Sequence, residues 1–298
     1  MQALFTGGLG DFIGAESFMT DSEKNSVTTL LWATRNRKEI QAAFDMKDIF
    51  PNLKEEKILF DDFSDERPTR PWEPGDRFMA IGMKHELNLK CGLNLSQAEL
   101  DAIGDYSLDA TLQRIFAGHR IQNSRAATVK HNWLDIKKFN LPKRYVVIHP
   151  WSDGYIIGRE FNDADWENIF KFLTANNIMG VVVNKSEKYP PKHPNLIDLT
   201  NQDTLRELWS IVAGAEYCIL CASSIACFAT KIFPKGKIWL KGGFDWMFTD
   251  WATYFYHGPF INPNDVIFKN FDMLNPEPKR FIPHPQSSMI DQGLVTLL

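Results

Sequence analysis

A cluster of glycines with an acid inside it opens the chain: Gly7, Gly8, Gly10 and Gly14 surround Asp11. Glycines so placed let a backbone approach a ligand closely and aim the N–H groups of a helix start at it. Asp11 reads in two ways, as a helix-start carboxylate that satisfies the dipole or as a general base facing a second domain. The cluster approaches the dinucleotide pattern Gly-x-Gly-x-x-Gly but misses it, because Ile13 holds the last position and Gly14 comes one residue late. Arg35 and Arg37 stand where that pattern wants an acid for the ribose.

Anion chemistry gathers further along. Arg159 has a permanent charge with a fork matched to phosphate. Ser223 and Ser224 would open a helix whose N–H groups suit phosphate oxygens. Cys218 and Cys221 form a Cys-x-x-Cys, but Ile219 and Leu220 place both on an apolar strand and no second pair follows. Core thiols are expected there rather than zinc. His149, before Pro150 at a strand end, reads as a structural histidine bonded to backbone. The aromatic run Phe244–His257 reads as core or a subunit contact, with an acceptor platform as the alternative.

These residues need elements to hold them. Gln2–Thr6, Thr28–Thr34 and Lys57–Phe60 read as strands, the first running into the glycine cluster and a helix. Glu66–Pro74, with Pro68, Pro71 and Pro74, reads as loop. Ser96–Phe116 reads as a helix, with Ser96 and Glu99 as a capping box. Phe139–Arg144 reads as a linker. The pattern then starts afresh. Strands at Tyr145–His149, Met179–Val183, Leu196–Leu199, Glu216–Leu220 and Lys237–Leu240 alternate with helices at Asp163–Asn176, Asp203–Ala213 and Ser223–Phe233. This alternation predicts an α/β chain of two Rossmann-like, doubly wound domains, residues 1–140 and 141–298. The apolar end Leu294–Leu298 is expected to pack back on the body. Ligands of such sheets sit at the C-terminal ends of the strands.

Three stretches, Tyr145–Phe161 (YVVIHPWSDGYIIGREF), Leu196–Leu208 (LIDLTNQDTLREL) and Ala215–Ala229 (AEYCILCASSIACFA), follow a GGLGD start in order. In that order and spacing the chain resembles the heptosyltransferase-like glycosyltransferase family 9, of GT-B fold. The resemblance covers most of the chain in outline and is densest over residues 143–230. It implies Asp11 as the base that deprotonates an acceptor hydroxyl, with Gly8 and Gly10 in the loop before it. It implies Arg159, Ser152, Ser223 and Ser224 on the donor diphosphate, Glu187 toward the nucleoside, and Thr200 among the donor-binding residues. Ala222 stands where the family has Asp, and Ile225, Ala226 and Cys227 stand where it has Pro-Met-His. The donor is therefore left open.

The expected function is a transferase moving a sugar from a nucleotide-sugar to a hydroxyl acceptor: a glycan, a lipid-linked sugar or a protein. Inversion at the sugar carbon follows from a single base. Arg159 and the helix start at Ser223 can take a metal's part, so neither metal nor other cofactor is expected. The alternatives are a nicotinamide-dependent oxidoreductase using residues 7–14, and a non-catalytic nucleotide- or glycan-binding protein of the same fold.

Composition agrees with a globular chain: of 298 residues, 44% are hydrophobic and 23% charged, which excludes a disordered chain. Four cysteines are too few for a disulfide scaffold. A net charge of −4 speaks against nucleic acid as partner. The longest apolar stretch, Tyr217–Thr230, is short of the ~20 residues that span a membrane. With no basic leader ahead of an apolar stretch at the start, a cytoplasmic setting is expected.

Overall fold

Each half of the chain builds one parallel sheet. The computed structural model describes residues 1–34, 36–60, 78–82, 96–98, 104–107, 135–152, 160–232, 237–241 and 267–268. Apolar runs without alternation make the central strands, as a sheet covered on both faces requires. Ala3, Leu4 and Phe5 are wholly buried, and so are Val146, Val147 and Ile148.

The first sheet has strands β1 (Gln2–Phe5), β2 (Thr29–Ala33), β3 (Glu55–Phe60), β4 (Phe78–Gly82) and β5 (Gly104–Ser107). Their order is β3-β2-β1-β4-β5, all parallel. The second has β6 (Tyr145–His149), β7 (Met179–Val182), β8 (Leu196–Asp198), β9 (Tyr217–Cys221), β10 (Lys237–Lys241) and β11 (Ile267–Phe268). Their order is β11-β10-β9-β6-β7-β8, again all parallel. In both sheets the chain starts centrally, winds out to one edge and returns to the other side. The direction therefore reverses between β1 and β4, and between β6 and β9. The chain divides into two compact units at Lys130 and His131.

In the first unit α1 (Leu9–Phe18) follows β1, and α2 (Asp21–Ser26), α3 (Arg37–Ala43) and α4 (Met46–Ile49) are short. Phe12 fixes α1 on the sheet. Its ring meets Phe5 edge-on at 5.1 Å and stacks on Trp32 at 6.4 Å and on Phe44 at 5.9 Å. One expectation fails here. The helix expected over Ser96–Phe116 is interrupted by β5, which pairs Met79 with Gly104 and Ile81 with Tyr106. Gly104 weakens a helix interior by ~1 kcal/mol, and the open edge of β4 gives ladder partners to the N–H and C=O groups of this segment that face it.

In the second unit α5 (Asp163–Ala175), α6 (Leu205–Gly214) and α7 (Ser224–Ile232) pack beside the sheet. The spacing of Trp166, Ile169, Phe172 and Leu173 gives α5 one buried face. Trp209 of α6 stacks on Phe228 of α7 with ring centroids 3.6 Å apart. The segment 139–144, read as a linker, is tied to this unit. A 3-10 turn at Lys137–Phe139 brings Lys138 to 2.5 Å from Glu207, and Arg144 forks onto Glu216 at 2.7 and 3.0 Å.

Gly180 on β7 has no room for a side chain: a Cβ there would lie 2.7 Å from both Ile148 Cδ1 and Leu196 Cδ2. Gly180→Val is expected to overpack this spot and lower stability by about 1–3 kcal/mol, read as a shifted urea midpoint.

Candidate functional site

The crevices of such sheets open where the winding direction reverses. At the first sheet this point is Gly7–Asp11. Gly7, not Gly8 or Gly10, takes the left-handed conformation, with φ 105°. The Asp11 side chain lies against it, and a Cβ on Gly7 would come within 2.9 Å of Asp11 Oδ2. Gly8 is the residue before α1, and its N–H donates to Asp11 Oδ2 at 2.7 Å. Gly10 is already helical. Asp11 thus makes the helix-start bond anticipated for it, and this bond sets the carboxylate in one orientation.

At the second sheet the reversal brings the ends of β6 and β9 side by side, with His149 opposite Leu220. His149 is buried and its Nδ1 lies 2.9 Å from the Val183 carbonyl, the structural role expected of it. The Pro150 carbonyl accepts from the Phe161 N–H at 3.1 Å, which closes the loop after β6. Ser152 is half-buried on that loop. Ser223 caps α7: its Oγ accepts from the Ala226 N–H at 3.4 Å and its carbonyl from the Cys227 N–H at 3.1 Å. Ser224 begins the helix, half-buried like Ser223. Ser152 and the Ser223–Ser224 turn therefore stand at the ends of neighbouring strands. Arg159 lies outside the described residues, as do the proline segment 66–74, the aromatic run 244–257 and the tail 281–298.

Glu187 and Thr200 follow β7 and β8, on the other side of β6. Asn201, left-handed at φ 61°, clips these two ends together. Its Oδ1 accepts from Ser186 N–H at 3.2 Å, its Nδ2 donates to the Ser186 carbonyl at 2.8 Å, and its N–H donates to the Asn184 carbonyl at 2.8 Å. Glu187 is exposed on the loop so held, and Lys188 beside it pairs with Glu160 at 2.6 Å. Thr200 Oγ1 and Asn184 Nδ2 are both buried and without a hydrogen-bond partner. The sequence reading passed over Asn184 and Asn201; asparagine after a strand end, the residue most tolerant of positive φ after glycine, was the available signal.

Asp203 lies beyond Thr200, and burial pushes its carboxyl up to about 6 despite the nearby charge of Lys185. A carboxyl raised on folding binds more protons in the native state, so stability falls as pH rises from about 4 to 6. Asp203→Asn is expected to flatten that slope and to add stability on the order of 2 kcal/mol at pH 7.5. Urea unfolding at pH 4.5 and 7.5 checks this.

Two cation motifs resolve locally. The sequence holds one Asp-x-Asp, Asp163–Asp165, a pattern that the expectation of metal independence left out of account. It opens α5, where Asp163 is exposed and Asp165 is buried. Asp165 Oδ2 accepts from the Asn162 N–H at 2.8 Å and pairs with Lys241, at the end of β10. The two carboxylates do not share one site. Cys218 and Cys221 sit three apart on β9, so their side chains leave opposite faces of the sheet. Burial pushes the Cys218 thiol well above its ordinary range. Cys227 is buried within α7. Among the described residues no three His, Cys, Asp or Glu side chains group as metal ligands, and no helix is long and apolar enough to cross a membrane.

No protein-family model matches the sequence, and no curated protein matches it. Solved structures do share its fold. A glycosyl transferase of family 9 from Veillonella parvula DSM 2008 superposes with a TM-score of 0.56 at 10% identity, over 98% of this chain and 96% of that one. The E. coli heptosyltransferase WaaC, solved with ADP, superposes with a TM-score of 0.51 at 12% identity, over 99% of each chain. The chain has the two-unit α/β fold of these proteins, the GT-B architecture that its sequence motifs had suggested.

Proposed function

We propose that the protein is a cytoplasmic glycosyltransferase. It moves a sugar from a nucleotide-sugar to a hydroxyl of a glycan, lipid-linked or protein acceptor, with inversion and without a metal. The observation that carries this is the start of α7 at the reversal point of the second sheet. Among the described helices of eight residues or more, α1 has Asp11 in its first turn, α5 has Asp163 and Asp165, and α6 has Glu207, whereas α7 has no acid. A helix start with unopposed positive dipole suits a diphosphate. The ADP of the E. coli heptosyltransferase of this fold supports the same ligand class.

In this reading the first unit faces the acceptor and the second holds the donor. Asp11 takes the proton of the acceptor hydroxyl. The hydroxyl oxygen bonds to the anomeric carbon from the face opposite the nucleotide, and the bond to the diphosphate breaks. Arg159, Ser152, Ser223, Ser224 and the N–H groups of α7 receive the departing charge. Glu187 grips the nucleoside, and Thr200 lines the donor site. The oxidoreductase alternative is disfavoured by Asp11, whose carboxylate fills the helix start that a dinucleotide pyrophosphate would need.

Calorimetric titration with ADP, UDP, GDP and NAD tests the reading. At least one nucleoside diphosphate is expected to bind, and Arg159→Ala to weaken it tens-fold. Binding of NAD alone would overturn the proposal. A nucleoside diphosphate bound with no nucleotide-sugar consumed would leave a binding protein of the same fold.

A further inference from the structure

We propose that Thr34 and Asn36 are positioning residues that fix the Asp11 carboxylate. The inference rests on the reading of Asp11 as the base and identifies what holds it. Asp11 and Thr34 meet opposite ends of one peptide group, the one joining Gly7 to Gly8. Its N–H donates to Asp11 Oδ2 at 2.7 Å. Its carbonyl accepts from Thr34 Oγ1 at 2.5 Å and from Asn36 Nδ2 at 3.2 Å. A trans peptide is planar, with its C=O and N–H pointing in opposite directions. Clamping the carbonyl therefore aims the N–H.

The clamp is itself built. Thr34 is buried, 3% exposed, and directly follows β2. Its hydroxyl accepts from the Asn36 N–H at 3.1 Å, so its own proton is directed at Gly7. Asn36 is the residue before α3 and brings its amide to the same carbonyl. The need is specific, because Gly7 sits at φ 105° with no side chain to hinder rotation of the peptide that follows. A flip of that peptide would take the N–H away from the carboxylate and break this bond. Two donors from another strand end oppose the flip, and a carbonyl that accepts two bonds polarises its N–H toward the carboxylate.

The Gly8 amide reports on the clamp without any substrate. In Thr34→Val the Gly8 N–H is expected to exchange with solvent about tenfold faster, the scale of one lost hydrogen bond. Turnover should fall while KM for the donor stays, and Thr34→Ser should restore turnover and the slow Gly8 exchange. Asn36→Ala, which removes one donor only, should give a smaller change in the same direction and serves if Thr34→Val does not fold. Unchanged Gly8 exchange in both variants overturns the positioning role. Asp11→Asn at wild-type turnover overturns the base assignment instead, and the Gly8 exchange rates still decide separately whether the clamp aligns the carboxylate.

Discussion

Asp11→Asn is expected to lower turnover by about 10²-fold or more, the scale of a lost general base, while the donor Kd changes less than about twofold. The substitution is nearly isosteric. The amide oxygen can still accept from the Gly8 N–H, which the carboxylate meets at 2.7 Å, so the start of α1 should persist. What disappears is the capacity to take a proton. Binding should hold because the diphosphate is proposed to lie at the second sheet. Single-turnover transfer and a donor titration, made on the same two proteins, separate the effects. Wild-type turnover would leave Asp11 as a helix-start residue only.

Ser224→Asp is expected to abolish most diphosphate binding, by about 10²-fold, without lowering the melting temperature. A carboxylate in the first turn stabilises a helix by about 0.3–1 kcal/mol through its dipole, and α7 has no acid there to compete with the new one. The fold should gain slightly. The same carboxylate would stand where phosphate oxygens are proposed to lie, and like charges a few ångströms apart in a half-buried turn repel strongly. Opposite signs for stability and affinity distinguish a ligand site from an ordinary helix start. Equal affinity in the two proteins would move the diphosphate away from α7.

The central strands were legible because their apolar runs are continuous, and the ends of β6 and β9 followed from strand alternation alone. β5 was not legible. Its residues include Asp105 and Ser107, and it is a strand because β4 offers it a ladder. In the glycine cluster the sequence directed attention to Gly8 and Gly10, whereas the backbone requirement falls on Gly7. Which glycine takes positive φ depends on what grips the neighbouring carbonyl, and here the grip comes from Thr34 and Asn36, 27 and 29 positions away. No local pattern encodes that. The capping box of α6 was the opposite case: Thr204 and Glu207 exchange bonds of 2.9 and 3.2 Å three residues apart, well within what a sequence window displays.

The ion pair of Lys241 with Asp165 bears on how this rim can change over generations. Both side chains are largely out of water, 11% and 4% exposed. Replacing either alone strands a buried charge, at about 3–5 kcal/mol, a large share of a domain's total stability. Replacing both with apolar residues of like volume is close to neutral. Descendants that have altered one position should therefore be found to have altered the other, and the intermediate with a single change should survive only where stability has first been raised elsewhere. The end of β10 and the start of α5 are bound in heredity as well as in space.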